Sequence, residues 1–242
     1  MSTVLITGSN GGIGRALIKS FASNGYNIIA HELSGSDLHL EYIEEVKKQY
    51  GVEITPVYFD LTNSDEMKSK IRDLNKLKID VLVNCAGIAH GGLFQMTSMD
   101  TIRRVFDINF FSMLELTQLL LRPMVKHKSG CIINFSSISG LDSKTGNCAY
   151  GTSKAAVIAW TKTLASELGP LGIRVNAIAP GLTDTNMAKQ MEDKAGAAMI
   201  SDSAMNRLAR PEEIAEVALF LASDKASFVN GQVIRVDGGS TK

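Results

Sequence analysis

Tyr150 and Lys154 are the two residues of this chain whose types and spacing most directly suggest chemistry. In an α-helix, positions i and i+4 lie on the same face about one turn apart, so the phenol and the ammonium would project side by side. A nearby positive charge favours the ionised form of an acid, and we therefore expect Lys154 to lower the pKa of Tyr150 from its reference of ~10. Such a phenol could exchange a proton near neutral pH. An amphipathic helix with one exposed Tyr and one exposed Lys is the alternative interpretation.

A glycine-rich turn near the N-terminus predicts a binding site for a pyrophosphate. Residues 7–14 read Thr-Gly-Ser-Asn-Gly-Gly-Ile-Gly, between a short apolar run and a helical pattern over residues 15–24. Glycines lack the Cβ atoms that would block a phosphate, and a helix N-terminus supplies N–H donors and a favourable dipole. A turn without a ligand is the alternative. The spacing of Gly8, Gly12 and Gly14 is G-x-x-x-G-x-G, which differs from the G-x-G-x-x-G of many other dinucleotide folds.

Carboxylates follow the second and third predicted strands. Glu32 lies about twenty residues past the glycine-rich turn, where a carboxylate can accept hydrogen bonds from the adenosine ribose hydroxyls and would repel a 2′-phosphate. Between Ala16 and Glu45 the sequence has no Lys or Arg except Lys19. We therefore expect NAD to be favoured over NADP, with a solvated Glu as the alternative. Asp60 could accept from the adenine amino group or cap the next turn.

Further candidate groups lie at strand ends and inside one predicted helix. Ser137 follows the fifth strand, and hydroxyls at the carboxyl ends of parallel strands face the ligand crevice. Asn109 lies in a helical stretch that ends near residue 128; since a buried Asn amide competes with the helix backbone, it often stabilises a local irregularity or holds a water. Small residues in Asn84–Gly87 would let the backbone approach a flat adenine or ribose. His90 and Cys148 could touch substrate, but loop surface and a structural small residue are the simpler interpretations.

The elements that must position these groups alternate regularly along the chain. Short, wholly apolar runs predict buried parallel strands, and amphipathic stretches between them predict helices. The fold class is therefore α/β, a single domain over residues 1–242 with a Rossmann-type, doubly wound sheet of about seven parallel strands and helices on both faces. The predicted strands cover residues 4–6, 27–30, 57–59, 81–83, 131–135, 175–178 and 233–236. A Met- and Ala-rich stretch at about 183–209 predicts a mobile substrate cover.

Composition narrows the class of protein. The chain has 242 residues, 45% hydrophobic and 21% charged, with 25 Lys+Arg balanced by 25 Asp+Glu. A net charge near zero gives no reason to expect nucleic acid or an anionic membrane as partner. Three Cys fit a reducing compartment better than a disulfide framework, and neither a signal peptide nor an apolar run of ~18 residues is present. We expect a cytoplasmic protein without a metal site.

In order and spacing, these motifs resemble the short-chain dehydrogenase/reductase family, most of all its 3-oxoacyl-(acyl carrier protein) reductases. The resemblance runs from end to end and is carried by Thr7-Gly8 with Gly12 and Gly14, Asp60, Asn84 with Ala86-Gly87, Asn109, Ser137, Tyr150-x-x-x-Lys154, Pro180-Gly181 and Val236-Asp237-Gly238-Gly239. It implies an NAD(P)-dependent oxidoreductase that transfers a hydride between nicotinamide and a ketone or secondary alcohol, with a small-molecule or carrier-bound carbonyl substrate.

The resemblance also implies roles for individual residues. Tyr150 would be the general acid or base, Lys154 would lower its pKa and hold the nicotinamide ribose, and Ser137 would hydrogen-bond the substrate oxygen. Asn109 would anchor a water that links Lys154 to solvent, and Thr185 would bind the carboxamide. The expected cofactor contacts are Gly8, Asn10, Gly12, Ile13, Gly14, Glu32, Asp60, Leu61, Asn84, Ala86, Gly87, Tyr150, Lys154, Pro180, Gly181, Thr183 and Thr185.

Departures from the family pattern leave alternatives open. Members that use NADP often carry a basic residue just before the second motif glycine, where this chain has Gly11, and an Arg after the second strand, where it has Leu33. Cys85 replaces a common Asn, which we interpret as a packing variant. Sugar, polyol or steroid dehydrogenases and a catalytically silent nucleotide-binding scaffold are the competing functions. The family is usually tetrameric, so we expect a homotetramer (or dimer) that associates through helices over 110–128 and 149–168 and the C-terminal segment.

Overall fold

One parallel sheet organises the protein, which is described here from a computed structural model over residues 1–74, 77–142, 144–186 and 203–240. In this part of the chain the sheet has seven strands in the order β3-β2-β1-β4-β5-β6-β7. The strands are β1 (Thr3–Thr7), β2 (Asn27–Glu32), β3 (Ile54–Tyr58), β4 (Val81–Asn84), β5 (Gly130–Phe135), β6 (Ile173–Pro180) and β7 (Val233–Val236). Each pairs in parallel with its neighbours, as the apolar runs predict.

Helices connect the strands and cover both faces of the sheet. They are α1 (Gly12–Ser23), α2 (Asp37–Tyr50), α3 (Ser64–Leu74), α4 (Met99–Phe106), α5 (Ser112–His127), α6 (Cys148–Leu168) and α7 (Pro211–Ala222). Local signals explain their ends: the Ser36 hydroxyl accepts from the His39 N–H at the start of α2, and Gly51 ends that helix at φ 68°. Helix α1 begins inside the glycine-rich turn and has no side-chain cap, so its first N–H groups stay available.

Two hydrophobic cores lie on opposite faces of the sheet because side chains alternate along each strand. Val4, Ile6 and Val83 pack beneath α1 and α7 in one core. Leu5 and Leu82 face the other way, into a core that includes side chains of α3, α5 and α6. This two-sided burial explains why the strands are almost wholly apolar in sequence.

Strand β1 lies between β2 and β4. Strands β2 and β3 are added on one side of it and strands β4 to β7 on the other, so the order of strand addition reverses at β1. In open α/β sheets, ligands bind outside the carboxyl ends of the strands at such a switch point. The glycine-rich turn follows β1 directly, and the loops after β4, β5 and β6 leave the same edge. Each predicted site residue on these loops is therefore delivered to one end of the molecule.

The predicted helix ending near residue 128 is interrupted. Helix α4 ends at Phe106, a π-helical turn covers Asp107–Phe111, and α5 continues from Ser112. Asn109 lies at the centre of this turn, so the expected local irregularity is confirmed. Residues 187–202 of the predicted substrate cover lie outside the described residues. Within the described part of the chain, no helix is both long and apolar enough to cross a membrane.

Candidate active site

A crevice of about 910 Å³ opens at the carboxyl ends of the strands. It brings together residues that are far apart in sequence, because β1, β4, β5 and β6 all end at this edge. The predicted site residues that line it are Ile13, Gly87, Ser137, Tyr150, Lys154, Pro180, Gly181, Thr183 and Thr185. Apolar side chains of Leu182, Leu208 and Val236 line it as well. The crevice is therefore large, and most of its exposed lining area is apolar although many of the lining residues are polar or charged.

Ser137 and Tyr150 form a hydrogen-bonded pair inside the crevice. Ser137 follows β5 and precedes a 3₁₀ turn (Ile138–Gly140), and its Oγ accepts from the Ser139 N–H at 3.1 Å. Tyr150 lies in the first turn of α6. The Ser137 oxygen thus accepts from the backbone, while its single O–H faces the Tyr150 phenol.

Lys154 lies one helical turn beyond Tyr150, as the i, i+4 spacing predicts, and is buried at 4% exposure. Its Nζ donates to the Phe135 carbonyl at 2.8 Å and lies 6.0 Å from the centroid of the Tyr150 ring. Burial lowers the pKa of Lys154 to about 8. An ammonium has three donors, so two remain beyond the bond to Phe135.

The expectation that Lys154 lowers the pKa of Tyr150 is wrong in this structure. Burial raises the pKa of Tyr150, and the hydrogen bond from Ser137 is the contact that opposes this rise. Taking the phenol out of water disfavours the phenolate more than these neighbours favour it. Tyr150 therefore keeps its proton at neutral pH.

The Asn109 side chain ties the π-helical turn to the loop after β4. Its Oδ1 accepts from the Ile88 N–H at 2.8 Å, and its Nδ2 donates to the Ile88 carbonyl at 2.9 Å and to Ser153 Oγ at 3.1 Å. Asn109 is fully buried. Both Nδ2 hydrogens are thus used, and its predicted part in holding a water stays a prediction. A Cβ at Gly87 would lie 3.0 Å from Asn109 Oδ1, so a larger residue there would displace this amide.

The motif glycines are required first by contacts within the protein. A Cβ at Gly14 would lie 2.1 Å from the Gly8 carbonyl oxygen, and one at Gly12 would lie 2.6 Å from Thr185 Cγ2. Gly8 has φ +68°, and its missing Cβ would lie 2.9 Å from Ala86 Cα. The turn is therefore packed closely against the loops after β4 and β6.

Glu32 and Asp60 do not line the crevice, and both already accept hydrogen bonds within the protein. Glu32 accepts a hydrogen bond from the Asn10 backbone N–H, and burial raises the pKa of its carboxyl group. Asp60 Oδ1 accepts from the N–H and the hydroxyl of Thr62, each at 2.8 Å. The turn-capping alternative for Asp60 is thus confirmed for one carboxylate oxygen. Leu61 packs, partly buried, against the core that α3 and α5 share.

Comparison with known proteins decides the family. The sequence model of a family described as enoyl-(acyl carrier protein) reductase matches residues 8–241. The 3-oxoacyl-[acyl-carrier-protein] reductase FabG of Thermotoga maritima is 38% identical over 237 residues, which cover 97% of this chain and 96% of that protein. The chain belongs to the short-chain dehydrogenase/reductase family.

Solved structures of similar proteins agree with this assignment. A 3-oxoacyl-[acyl-carrier protein] reductase from Brucella melitensis with bound NAD is 34% identical in sequence. Its structure superposes with a TM-score of 0.88, and the match covers 98% of this chain and 90% of that one. A second structure is that of a protein from Beutenbergia cavernae provisionally identified as an NAD(P)-dependent gluconate 5-dehydrogenase, with NADP bound at low occupancy. It is 32% identical, with a TM-score of 0.92, and the match covers 98% of this chain and 95% of that one. The predicted fold is confirmed, and the protein is an NAD(P)-dependent oxidoreductase. A preference for NAD has no support in these relatives.

Some predicted residues of this short-chain dehydrogenase/reductase lie away from the crevice. The Asn84 amide is buried and donates to Thr117 Oγ1 and Asn134 Oδ1, so only its backbone can approach a cofactor. His90 and Cys148 do not line the crevice, whereas Cys85 does. Thr183 lines it, but its hydroxyl donates to the Gly181 carbonyl at 3.1 Å.

Other residues that hold the site were missed from the sequence. Thr7 Oγ1 accepts from the N–H groups of Cys85 and Ala86, each at 3.0 Å, and so joins the ends of β1 and β4. Asn147 Nδ2 donates to Ser139 Oγ at 3.3 Å, beside the turn that orients Ser137. A hydroxyl or amide next to a motif is the only sequence signal for such contacts, and it is too common to be decisive.

Proposed function

We propose that the protein reduces the 3-oxo group of an acyl thioester to a hydroxyl group with a reduced nicotinamide dinucleotide. The hydrogen-bonded pair of Ser137 and Tyr150, beside the buried Lys154, is the observation that supports this reaction type most directly. The similarity to 3-oxoacyl-[acyl-carrier-protein] reductases supports the substrate class. The mostly apolar crevice also suits an acyl chain.

Each proposed role follows from the contacts of the residue. Once substrate is bound, the Ser137 hydroxyl would turn from Tyr150 to donate to the substrate carbonyl oxygen and stabilise charge that develops there, while its own oxygen accepts from the Ser139 N–H. Tyr150 would give its proton to the same oxygen. Lys154 has two N–H groups left to bind ribose hydroxyls. Asn109 would hold the loop after β4 in place and support a water beside Lys154.

The glycine-rich turn fits a dinucleotide, because the uncapped first turn of α1 presents N–H donors to a pyrophosphate. When bound, the nicotinamide supplies the hydride. The proposed cofactor contacts are those expected from the sequence, with the carboxamide near Thr185 and the adenosine ribose near Glu32. We propose that NADH binds at least as well as NADPH, because the Glu32 carboxylate would repel a 2′-phosphate.

A sugar or polyol substrate is the second candidate. The likeness to a provisionally identified gluconate 5-dehydrogenase supports it, as do charged residues in the crevice lining. Arg207 pairs there with Glu213, and Arg235 pairs with Asp142. We further propose that residues 183–209 select between such substrates and that the enzyme is cytoplasmic.

Association of copies is also proposed. Phe228 is fully exposed in the segment that leads into β7, the edge strand of the described sheet, and Phe220 of α7 is 40% exposed. An unpaired edge strand with exposed aromatic side chains favours contact with another chain. A second copy of this chain is the proposed partner, in a homotetramer or dimer.

Replacement of Tyr150 by Phe tests the reaction. Tyr150→Phe should lower the turnover of a 3-oxobutyryl thioester by several orders of magnitude, while affinity for NADH changes by less than about threefold, because only the proton donor is removed. Turnover is followed at 340 nm and affinity by calorimetry. Tyr50→Phe, on α2 away from the crevice, is the matched control and should turn over like wild type. Wild-type rates in Tyr150→Phe would exclude the proton-donor role, and turnover of sugars alone would favour the second candidate.

A further inference from the structure

Arg15 is held in place beside the glycine-rich turn by contacts with Asn10 and Tyr42. It lies in the first turn of α1, and its Nε and Nη2 donate to Asn10 Oδ1 at 3.0 and 2.7 Å. Its guanidinium carbon lies 5.0 Å above the centroid of the Tyr42 ring, and the Tyr42 hydroxyl donates to the Arg15 carbonyl at 2.7 Å. Contacts therefore fix both the guanidinium group and the backbone of Arg15.

Asn10 connects this cation to the carboxylate that opposes it. The Asn10 backbone N–H donates to Glu32, while its side-chain oxygen accepts from Arg15. Among the ion pairs of the described residues, none involves Arg15. Two of its five N–H groups are occupied by Asn10, which leaves part of the planar fork available to an anion.

Arg15 is the cation that acts on the Glu32 carboxyl in the described part of the chain. The two positions at which a basic residue would be expected carry Gly11 and Leu33. His39 is buried with Nε2 3.2 Å from Ser9 Oγ, and burial together with the charge of Arg15 lowers its pKa. It therefore stays neutral near pH 7, and Arg15 supplies the positive charge.

We propose that Arg15 is a second determinant of coenzyme choice and binds the 2′-phosphate of NADPH, in opposition to Glu32 across Asn10. The proposal rests on the proposed function only in placing the adenosine ribose beside Glu32. A guanidinium binds phosphate oxygens through parallel N–H donors, whereas a carboxylate repels the same group. Because the two side chains act in opposite directions, the enzyme would accept both coenzymes. Replacing either side chain with a neutral one would shift the relative affinity towards one coenzyme.

Calorimetric affinities for NADH and NADPH at one pH and low salt test the proposal. Arg15→Gln should shift the ratio of the two affinities about tenfold towards NADH, because one charge-assisted contact is lost. Glu32→Gln should shift it about tenfold towards NADPH. A variant that combines Arg15→Gln with Glu32→Gln should lose most of the shift towards NADPH that Glu32→Gln produces alone. Arg15→Lys keeps the charge without the fork, and an intermediate ratio would support the proposal even where Arg15→Gln folds poorly.

Lys19→Gln is the matched control, because Lys19 is an exposed cation one turn further along α1. It should leave the ratio unchanged. If Arg15→Gln weakened the affinity for both coenzymes equally, Arg15 would only hold Asn10 and Tyr42 in place, and the proposal would be overturned. The same shift in Lys19→Gln would overturn it too, by reducing the effect to net charge. Affinities do not depend on turnover, so failure of the proposed reaction would not disturb this test.

Discussion

At the scale of the residue, the site depends on a charge that the protein keeps out of water. Lys154 is 4% exposed and has the Phe135 carbonyl as its hydrogen-bond acceptor. Burying an ammonium is unfavourable unless it is bonded and paired, which explains why its pKa falls to about 8. Tyr150 responds in the opposite direction, since burial raises its pKa. Burial thus shifts both pKa values in the direction that favours the neutral amine of Lys154 and the neutral phenol of Tyr150.

A pH-dependent stability difference follows from Lys154. Below pH 8 the ammonium is present in the folded and unfolded states; between about 8 and the reference value of 10.5 only the unfolded chain still binds the proton. The free energy of unfolding should therefore rise with pH across this window, by about 3 kcal/mol from this residue. Lys154→Met should lack this rise in urea denaturation at pH 7.5 and 10, whereas Lys162→Met, an exposed lysine of the same helix, should keep it. A parallel response of Lys154→Met and wild type would contradict the assignment.

At the scale of the element, the π-helical turn is the feature that places Asn109 between the loop after β4 and α6. The turn lies between α4 and α5, and its extra residue per turn lets the Asn109 side chain reach the backbone of Ile88 in the loop after β4. Single π-helical turns inside longer helices occur often at functional sites. The loop after β4 is thereby held to α6 as well, through Ser153.

Asn109→Leu should lower both stability and turnover. The change would leave the Ile88 N–H and carbonyl without their partners, at a cost of about 2–4 kcal/mol in the free energy of unfolding. Asn176→Leu is a matched control, since Asn176 is equally buried and bonds the Val229 carbonyl and the Gln232 N–H away from the crevice. It should destabilise comparably and keep kcat within about twofold. If both variants retained kcat, measured with 3-oxobutyryl thioester, Asn109 would be only a structural residue.

At the scale of the whole molecule, several large apolar side chains are exposed to solvent. Phe228 is fully exposed beside β7, which has no further strand on its outer side in the described part of the chain. Phe94, Met96 and Met99 form a second exposed apolar group after β4 and at the start of α4. Where exposed apolar side chains lie together on a surface, they often mark an interaction site.

Phe228→Ser should reduce the assembly state. Removal of the aromatic side chain from the proposed interface should at least halve the particle mass found by light scattering at micromolar concentration, because aromatic anchors dominate contact energies. Leu38→Ser removes an exposed apolar side chain from α2 and should leave the mass unchanged. A monomeric wild-type protein, or equal masses for wild type and Phe228→Ser, would count against the proposed interface.

What the sequence alone determined were the features that depend on periodicity and motif. Runs such as Val81–Val83 predicted buried parallel strands, because a strand covered on both faces must be apolar at every position. The glycine-rich turn, Ser137 and the spacing of Tyr150 and Lys154 predicted the crevice, because loops after parallel strands meet at one edge. The irregularity at Asn109 was also predicted, from the conflict between its amide and the helix backbone.

Tertiary structure alone decided what surrounds each of these groups. Sequence placed Lys154 beside Tyr150 but could not weigh burial against charge, so the predicted direction of the Tyr150 pKa was wrong. It could not show that the Asn84 amide turns into the core or that Arg15 meets Glu32 through Asn10. Solvation and hydrogen bonding depend on atoms brought together from distant parts of the chain, and a sequence pattern specifies only the neighbours that one helix or strand provides.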